Sequence, residues 1–361
     1  MRAAVFHGRR DVRVETVDDP VPQAGELLLR ISVAGICGTD AHEFAHGPTM
    51  LPIDEPHPVT GHVGPIILGH ELAGTVVAVG DGAAGFAVDD LVVSGAGVWC
   101  GRCVQCGRGR TNLCLRYTTV GLQRDGGLAQ YCRVPAITCR AVRPYGLPDD
   151  AAVLAQPMAI ATHAVRRGRV TPDDRAVIIG AGGIGAFLTF AAVQHGAQVT
   201  VMDLDRDRLD LADRLGAHRV VVPQPGEPAR EAVGVAVGDP TVVFEVTGRT
   251  AGLATARELL PAGGRLVIVG LQPAAVELDL LDLTLREVEV IGTNAHVCAD
   301  DLPHALGLLA AREGSWSDVA PVALALDEVV TEGLEPLAAG RGRRVKTLID
   351  PWTAHTRSTV M

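Results

Sequence analysis

The sequence lacks the features that mark nucleic-acid-binding, membrane and secreted proteins. Aromatic residues make up only 3% of its 361 residues, and the formal net charge of −10 would repel a polyphosphate backbone. No apolar run approaches the roughly 20 residues that a membrane span needs, and MRAAVFHGRRDVRVETV has no apolar signal-peptide core. The sequence therefore excludes nucleic acid and membrane partners and predicts a cytoplasmic protein that acts on a small molecule.

Lysine is almost missing as well, because Lys346 is the only lysine among 32 Lys and Arg residues. We interpret this bias as a coding preference without functional meaning. Hydrophobic residues (47%), charged residues (20%) and 42 glycines are typical of a compact α/β protein. A length of 361 residues favours two domains, each with its own apolar core.

The texture of the chain changes near residue 150. Earlier segments such as ELLLRISVAG (26–35) and ELAGTVVAVG (71–80) are short, β-branched and bounded by turn residues, which indicates a strand-rich unit. From Arg175 onward, apolar strands alternate with helical patterns, which predicts parallel β-α-β units. We expect domains at 1–152 and 153–296, with residues 297–361 returning to the first domain.

A glycine-rich turn follows the apolar strand at 176–179. Within GAGGIG, Gly180, Gly182 and Gly185 have the spacing G-x-G-x-x-G, and Gly183 and Ile184 between them are further candidates for contact with the cofactor. A second strand ends about 20 residues later at Asp203, where a carboxylate would meet the ribose hydroxyls of a dinucleotide. We therefore predict bound NAD in preference to NADP, although Arg206 and Arg208 lie close to this acid in the sequence.

Four cysteines lie within fifteen residues of one another in the segment 99–115. They are Cys100, Cys103, Cys106 and Cys114. A folded loop with this spacing aims four sulfurs at one tetrahedral centre and leaves no position for substrate. The segment predicts a structural zinc site, with a vestigial loop and an iron–sulfur cluster as the alternatives. Cys132, Cys139 and Cys298 have no partners at ligand spacing, and we interpret them as structural.

A second and more scattered set of ligands is Cys37 in GICGTDAHE together with His70 and Glu71 in GHE. Each alone is ordinary, since a buried cysteine or a lone histidine is more often structural than a ligand. Together, a thiolate, an imidazole and a carboxylate suit Zn²⁺ with a fourth position open to water or substrate.

These motifs, with EVTG at 245–248, resemble the zinc-dependent medium-chain dehydrogenase/reductase family over nearly the whole chain. EFAHGPTMLPIDEPHPVTG (43–61) is most similar to the branch that contains the 2,3-butanediol, sorbitol and threonine dehydrogenases. The resemblance implies a GroES-like β-rich catalytic domain, a doubly wound Rossmann domain that binds NAD, and a cleft between them with the catalytic zinc. It also implies an alcohol or ketone substrate and a homodimer or homotetramer.

The resemblance also implies roles for single residues. Thr39 and His42 would relay the proton, Asp203 would hold the adenosine ribose, and Lys346 would reach the pyrophosphate. The expected reaction transfers a hydride between NAD and a secondary alcohol, such as a vicinal diol, an acyloin or a polyol. The alternatives are a dehydrogenase for a specialised sugar, cyclitol or biosynthetic intermediate, and a catalytically silent dinucleotide-binding protein.

The chain departs from the family at Gln156-Pro157, where related sequences usually carry Glu-Pro. The charges of Cys37 and Glu71 already balance Zn²⁺, so a further carboxylate would make the site negative. An amide keeps the site neutral but is a poor zinc ligand. We interpret Gln156 as a weak ligand, or as a residue just outside the ligands that hydrogen-bonds the water on the zinc. Packing and a weakened, repurposed site are the alternatives.

Overall fold

The computed structural model describes residues 1–224, 226–234, 240–272, 274–342 and 344–361. The chain divides into two compact units, 1–159 with 296–361, and 160–295. The predicted boundaries were 152/153 and 296/297. The first observed boundary, at 159/160, lies inside the helix Ala155–Arg167, and the apolar pattern of this helix continues across it.

The strands in chain order are β1 Arg2–Gly8, β2 Asp11–Thr16, β3 Glu26–Ile36, β4 Ile66–Ile67, β5 Glu71–Val79, β6 Leu91–Ser94, β7 Gly97–Val98, β8 Thr118–Thr119, β9 Tyr131–Pro135, β10 Cys139–Ala141, β11 Arg175–Ile179, β12 Gln198–Met202, β13 Arg219–Val221, β14 Val242–Glu245, β15 Arg265–Ile268, β16 Glu289–Gly292, β17 Val322–Ala325, β18 Thr347–Asp350 and β19 Arg357–Ser358. The α-helices are α1 Gly38–His46, α2 Val104–Gly107, α3 Asp149–Ala152, α4 Ala155–Arg167, α5 Gly183–Gln194, α6 Arg206–Arg214, α7 Ala229–Val233, α8 Thr250–Leu259, α9 Leu280–Leu285, α10 Cys298–Ala311 and α11 Glu335–Ala338. Short 3-10 turns lie at Thr111–Leu113, Ala136–Thr138, Arg143–Tyr145, Trp316–Asp318 and Leu326–Glu328, and a π-helical turn lies at Val329–Leu334.

The first unit is built on the long strand β3. Its main sheet has the order β10-β6-β5-β3-β18-β17-β19, and β9 pairs with another part of β3. Alternate apolar side chains of β3, such as Leu27, Leu29 and Ile31, enter the core of this unit. The late strand β18 runs antiparallel to β3, with Leu348 opposite Gly35. The C-terminal segment thus supplies a strand that pairs with β3, the first strand of this sheet along the chain.

The second unit is a parallel sheet with the order β13-β12-β11-β14-β15-β16, and each neighbouring pair of strands is parallel. The strands are nearly continuous apolar runs because helices cover both faces of such a sheet. The order reverses direction at β11, which is the place where doubly wound sheets bind ligands. The parallel sheet confirms the predicted Rossmann domain. The strand-rich first unit confirms the predicted β-rich, GroES-like domain.

None of the helices in the described part of the chain has the length and apolarity that crossing a membrane requires.

Candidate functional site

The four clustered cysteines converge in the structure. Each offers a sulfur, and the four sulfurs lie within 4.8 Å of one another. The Cys103 Sγ lies 3.5 Å from the Cys106 Sγ and 3.9 Å from the Cys114 Sγ. Four sulfurs at about 2.3 Å from a tetrahedral zinc would be about 3.8 Å apart. The spacing therefore fits a metal held by four thiolates.

Backbone amides donate to sulfurs of this cluster, whereas burial and the neighbouring Cys103 raise the pKa of Cys106 to about 12. The N–H groups of Cys100 and Arg116 each donate to the Cys114 Sγ at 3.3 Å. Hydrogen bonds from the backbone of Cys106 and then Leu115 lower the pKa of the Cys103 thiol to about 6. A thiolate at neutral pH is the form that binds metal.

The second set of ligands converges as well. Cys37 lies at the N-cap of α1, and His70 and Glu71 lie at the start of β5. Their ligand atoms lie within 4.8 Å of one another. Gly35 faces Glu71 across the β3–β5 pair, and a Cβ at Gly35 would lie 2.1 Å from the Glu71 Oε2. Glycine at this position therefore leaves the space that the carboxylate occupies.

Asp40 supports two of these ligands from the first turn of α1. It is fully buried, and its Oδ2 accepts the backbone N–H of Cys37 at 2.8 Å. Its Oδ1 lies 3.5 Å from the His70 Nδ1. Burial alone would lower the pKa of His70, but the charges of Asp40 and Cys37 outweigh burial and raise that pKa well above its usual value. A carboxylate behind a metal-binding histidine orients the ring and strengthens the ligand.

Lys346 lies beside one of these ligands. Its ammonium is buried, donates to the Glu71 Oε1, and also donates to the backbone oxygen of Ile36 at 3.1 Å. Burial would lower the pKa of Lys346, but the charge of Glu71 outweighs it and raises that pKa. The contact of Lys346 with a pyrophosphate stays a prediction.

The buried charges around the ligands match a divalent cation. Cys37 as thiolate, Glu71 and Asp40 contribute −3, and Lys346 contributes +1, which leaves −2. The Glu71 Oε2 is buried and has no hydrogen-bond partner among the residues that the structure describes. Such a carboxylate oxygen is costly unless it binds a cation. The residues present therefore fit Zn²⁺, and the balance inferred from Cys37 and Glu71 holds because the charges of Asp40 and Lys346 cancel.

The glycine turn of the second unit has the geometry of a dinucleotide-binding turn. Gly180 has a φ of +104°, and a Cβ there would lie 2.9 Å from a Thr247 methyl carbon. A Cβ at Gly185 would lie 1.9 Å from the Gly180 oxygen. Gly182 is the N-cap of α5, with Gly183 and Ile184 in its first turn. The amino end of α5 thus offers free N–H groups to an anion.

Asp203 joins this turn to the end of β12. Its Oδ2 accepts the backbone N–H of Ala181 at 2.6 Å, and its Oδ1 accepts that of Asp205 at 2.9 Å. Arg208 lies 3.5 Å from the Asp205 carboxylate, and its guanidinium comes within 3.9 Å of the Cβ position of Gly182. The acid and the arginine therefore both border the turn.

Comparison with known proteins agrees with this geometry. Residues 23–144 match the family model described as alcohol dehydrogenase GroES-like domain, and residues 183–311 match the one described as zinc-binding dehydrogenase. The chain is 30% identical to the (R,R)-butanediol dehydrogenase of Bacillus subtilis over 97% of this chain and 100% of that protein. The chain belongs to the zinc-dependent medium-chain dehydrogenase/reductase family.

Two further relatives lie within the same family. The sorbitol dehydrogenase of Bombyx mori is 34% identical over 81% of this chain and 83% of its own length. The crystal structure of a zinc-binding dehydrogenase from Sinorhizobium meliloti 1021 bound to NADP superposes with a TM-score of 0.85 at 29% identity, over 97% of this chain and 99% of that one.

The other predicted site residues of this dehydrogenase occupy varied positions. The Thr39 Oγ1 lies 3.9 Å from the Cys37 Sγ, and His42 is exposed one turn further along α1. Gln156 is 8% exposed in the first turn of α4, and its place beside the metal stays a prediction.

The three unclustered cysteines of this dehydrogenase are buried. Burial raises the pKa of Cys139 to about 12 and that of Cys298 to about 11, and it also raises the pKa of Cys132. All three are therefore neutral thiols at physiological pH, as expected of packing residues.

Sequence reasoning missed two acids of this dehydrogenase. Asp40 was hidden in GTD, although a carboxylate three residues after a helix N-cap is a recognisable capping signal. Glu245 is fully buried at the end of β14, where it accepts the backbone N–H groups of Thr247 at 2.8 Å and Gly248 at 3.1 Å. The sequence signal for Glu245 was an acidic residue at the end of the apolar run VVFE.

Proposed function

We propose that this chain is an NAD-dependent zinc alcohol dehydrogenase that oxidises a secondary alcohol to a ketone and catalyses the reverse reduction. The substrate is a vicinal diol, an acyloin or a polyol, as for the butanediol and sorbitol dehydrogenases that the chain resembles. The observation that carries the proposal is the convergence of Cys37, His70 and Glu71 around an unpartnered carboxylate oxygen. A catalytically silent dinucleotide-binding protein would not need these three metal ligands to converge.

Cys37, His70 and Glu71 would hold the catalytic zinc, which polarises the alcohol oxygen and lowers its pKa when bound. Thr39 and His42 would move the proton away from that oxygen. Their spacing of three residues places them on one face of α1, with the exposed His42 able to pass the proton to water. When bound, NAD⁺ would accept the hydride of the carbinol carbon, and the hydroxyl proton would leave through Thr39 and His42, which balances oxidation of the alcohol to the ketone.

NAD is preferred over NADP because Asp203 borders the glycine turn with a negative charge. A carboxylate there accepts hydrogen bonds from ribose hydroxyls and repels a 2′-phosphate. Arg208 is the residue that would favour NADP, and a relative binds that cofactor, but the guanidinium already has the Asp205 carboxylate 3.5 Å away. Kinetics with both cofactors will decide between them.

The protein works as a homo-oligomer in the cytoplasm. Strand β16 lies at one edge of the described parallel sheet, and α9 and β16 carry four exposed apolar side chains, which are Leu280, Leu281, Leu285 and Val290. An edge strand beside an apolar patch favours antiparallel pairing with a second copy about a two-fold axis. Light scattering on Leu281→Glu should show dissociation of the oligomer, whereas Val21→Glu, at an equally exposed position in the other unit, should not change the mass.

The eight cysteines of the chain are free thiols, which suits the reducing conditions of the cytoplasm.

The function is tested by recording NADH absorbance with the purified protein over the stereoisomers of 2,3-butanediol, acetoin in reverse, sorbitol and other polyols, and hydroxy amino acids. We expect oxidation of at least one vicinal diol or polyol, abolished by a chelator and restored by zinc. Turnover confined to hydroxy amino acids, or no turnover by protein with a full metal content, would exclude the proposed substrate class.

A further inference from the structure

The only lysine of the chain is also one of its most buried charged residues. The other basic residues of the 32 are arginines, yet Lys346 is 4% exposed and faces Glu71. A coding preference accounts for the arginines but not for a lone lysine at the metal site. A compact ammonium differs from a guanidinium, whose five donors in a wide fork need more space and more acceptors.

The sheet explains how Lys346 reaches this place. Strand β3 lies between β5 and β18, with Gly35 opposite Glu71 on one side and Ile36 opposite Thr347 on the other. Lys346 immediately precedes β18, and its side chain crosses the end of β3, where it donates to the Ile36 oxygen on the way to Glu71. The absence of a side chain at Gly35 leaves room for the Glu71 carboxylate that Lys346 meets.

The two oxygens of Glu71 have different surroundings. Oε1 accepts from the Lys346 ammonium, whereas Oε2 is buried without a partner among the described residues and belongs to the cluster with Cys37 and His70. Asp40 lies beside the other two ligands, because it accepts the backbone N–H of Cys37 at 2.8 Å and lies 3.5 Å from the His70 Nδ1. An ammonium on one oxygen fixes the rotation of the carboxylate and turns its other oxygen toward the cluster.

We propose that Lys346 is a positioning residue of the metal centre: by binding the Glu71 Oε1, it holds Oε2 in place as a ligand. The inference rests on the metal site of the proposed function. It adds a role at the metal site to the predicted contact of Lys346 with the cofactor.

Zinc affinity measured by chelator competition tests this assignment. Lys346→Met keeps the length and apolar stem of the side chain and removes the ammonium. Loss of such an outer partner should weaken zinc binding at this site by about 10- to 100-fold and leave the four-cysteine site unchanged as an internal control. Arg357→Met is a matched control, because Arg357 pairs with Asp150 and Asp350 and holds the same C-terminal segment away from the metal ligands.

Spectroscopy separates positioning from a general loss of stability. With Co²⁺ in place of zinc, Lys346→Met should change the visible absorption spectrum of the site, and Arg357→Met should not. Protein labelled with ¹³C-lysine has a single lysine signal, which should shift when zinc fills this site, including in Cys103→Ser, where the other site is damaged.

The possible outcomes are distinct. Wild-type affinity and an unchanged Co²⁺ spectrum in Lys346→Met would overturn the positioning role. Tighter zinc binding would overturn it too, because it would mean that the ammonium only repels the metal. A wild-type protein that binds one zinc per chain would instead contradict the proposed function itself.

Discussion

Replacing Asp203 by alanine should reduce both the stability of the glycine turn and the preference for NAD. The carboxylate accepts two backbone N–H groups, from Ala181 at 2.6 Å and Asp205 at 2.9 Å. A hydrogen bond to a charged group contributes about 1.5–3 kcal/mol when buried, and we take about 1 kcal/mol for each because Asp203 is partly exposed. The total of about 2 kcal/mol should lower the melting temperature of this unit by roughly 5 °C.

The effect on cofactor binding is separate from that on stability. Loss of one charged hydrogen bond to a ribose hydroxyl should raise the Kd for NAD by about 10- to 100-fold. NADP binding should change less, because the repulsion of its 2′-phosphate disappears at the same time. Kinetics with both cofactors, together with thermal unfolding, measure the two effects.

Asp279→Ala is the matched control for this experiment. Asp279 caps α9 of the same unit by accepting the N–H group of Asp282, and loss of the cap should cost about 1 kcal/mol without changing the ratio of NAD to NADP affinity. The reasoning is refuted if the wild-type protein already prefers NADP, or if Asp203→Ala melts earlier but keeps the wild-type cofactor ratio.

Four further changes have expected outcomes. Cys103→Ser should release one zinc and loosen the 99–115 loop, as metal analysis and limited proteolysis would show, and full metal content would contradict the four-thiolate site. Gln156→Glu should retain zinc. It should raise the pH of half-maximal alcohol oxidation by up to about one unit, because a further negative charge opposes loss of the substrate proton. A shift of one unit corresponds to about 1.4 kcal/mol. Glu71→Gln should instead lose zinc, and an unmoved pH profile in Gln156→Glu would assign that residue to packing. Burial would raise the pKa of Asp174, but the hydrogen bond from Thr241 and other contacts outweigh burial and lower that pKa below its usual value of 3.8. The stability that ionised Asp174 contributes is therefore complete above pH 3.8 and is lost as the pH falls through the lowered pKa. Asp174→Asn should cost about 2 kcal/mol at pH 7 and flatten the acid limb of stability measured by denaturant unfolding.

The parts of the site that lie close together in sequence were predictable. The four cysteines and the glycine turn each occupy one short segment, and the residue types and their spacing carry the geometry. The parallel sheet was predictable for the same reason, since each strand and helix repeats a local pattern. These features depend little on how distant segments pack.

The surroundings of the metal were not predictable in this way. Lys346 and Glu71 are 275 residues apart in sequence, and they meet because β18 and β5 take opposite sides of β3. Nothing local in RRVKTLID distinguishes this position from an exposed basic one. The first division between the two units falls inside helix α4, so no change of composition marks it in the sequence.

The catalytic role of the Cys37, His70 and Glu71 site is tested by zinc content and NADH formation, measured on the same preparations of the wild-type protein and Cys37→Ser. We expect two zincs per chain and diol or polyol oxidation in the wild type. In the variant we expect one zinc, held by the four-cysteine site, and activity reduced by several orders of magnitude. A variant that lacks the zinc of the Cys37 site yet oxidises the alcohol at the wild-type rate would show that this site is not catalytic.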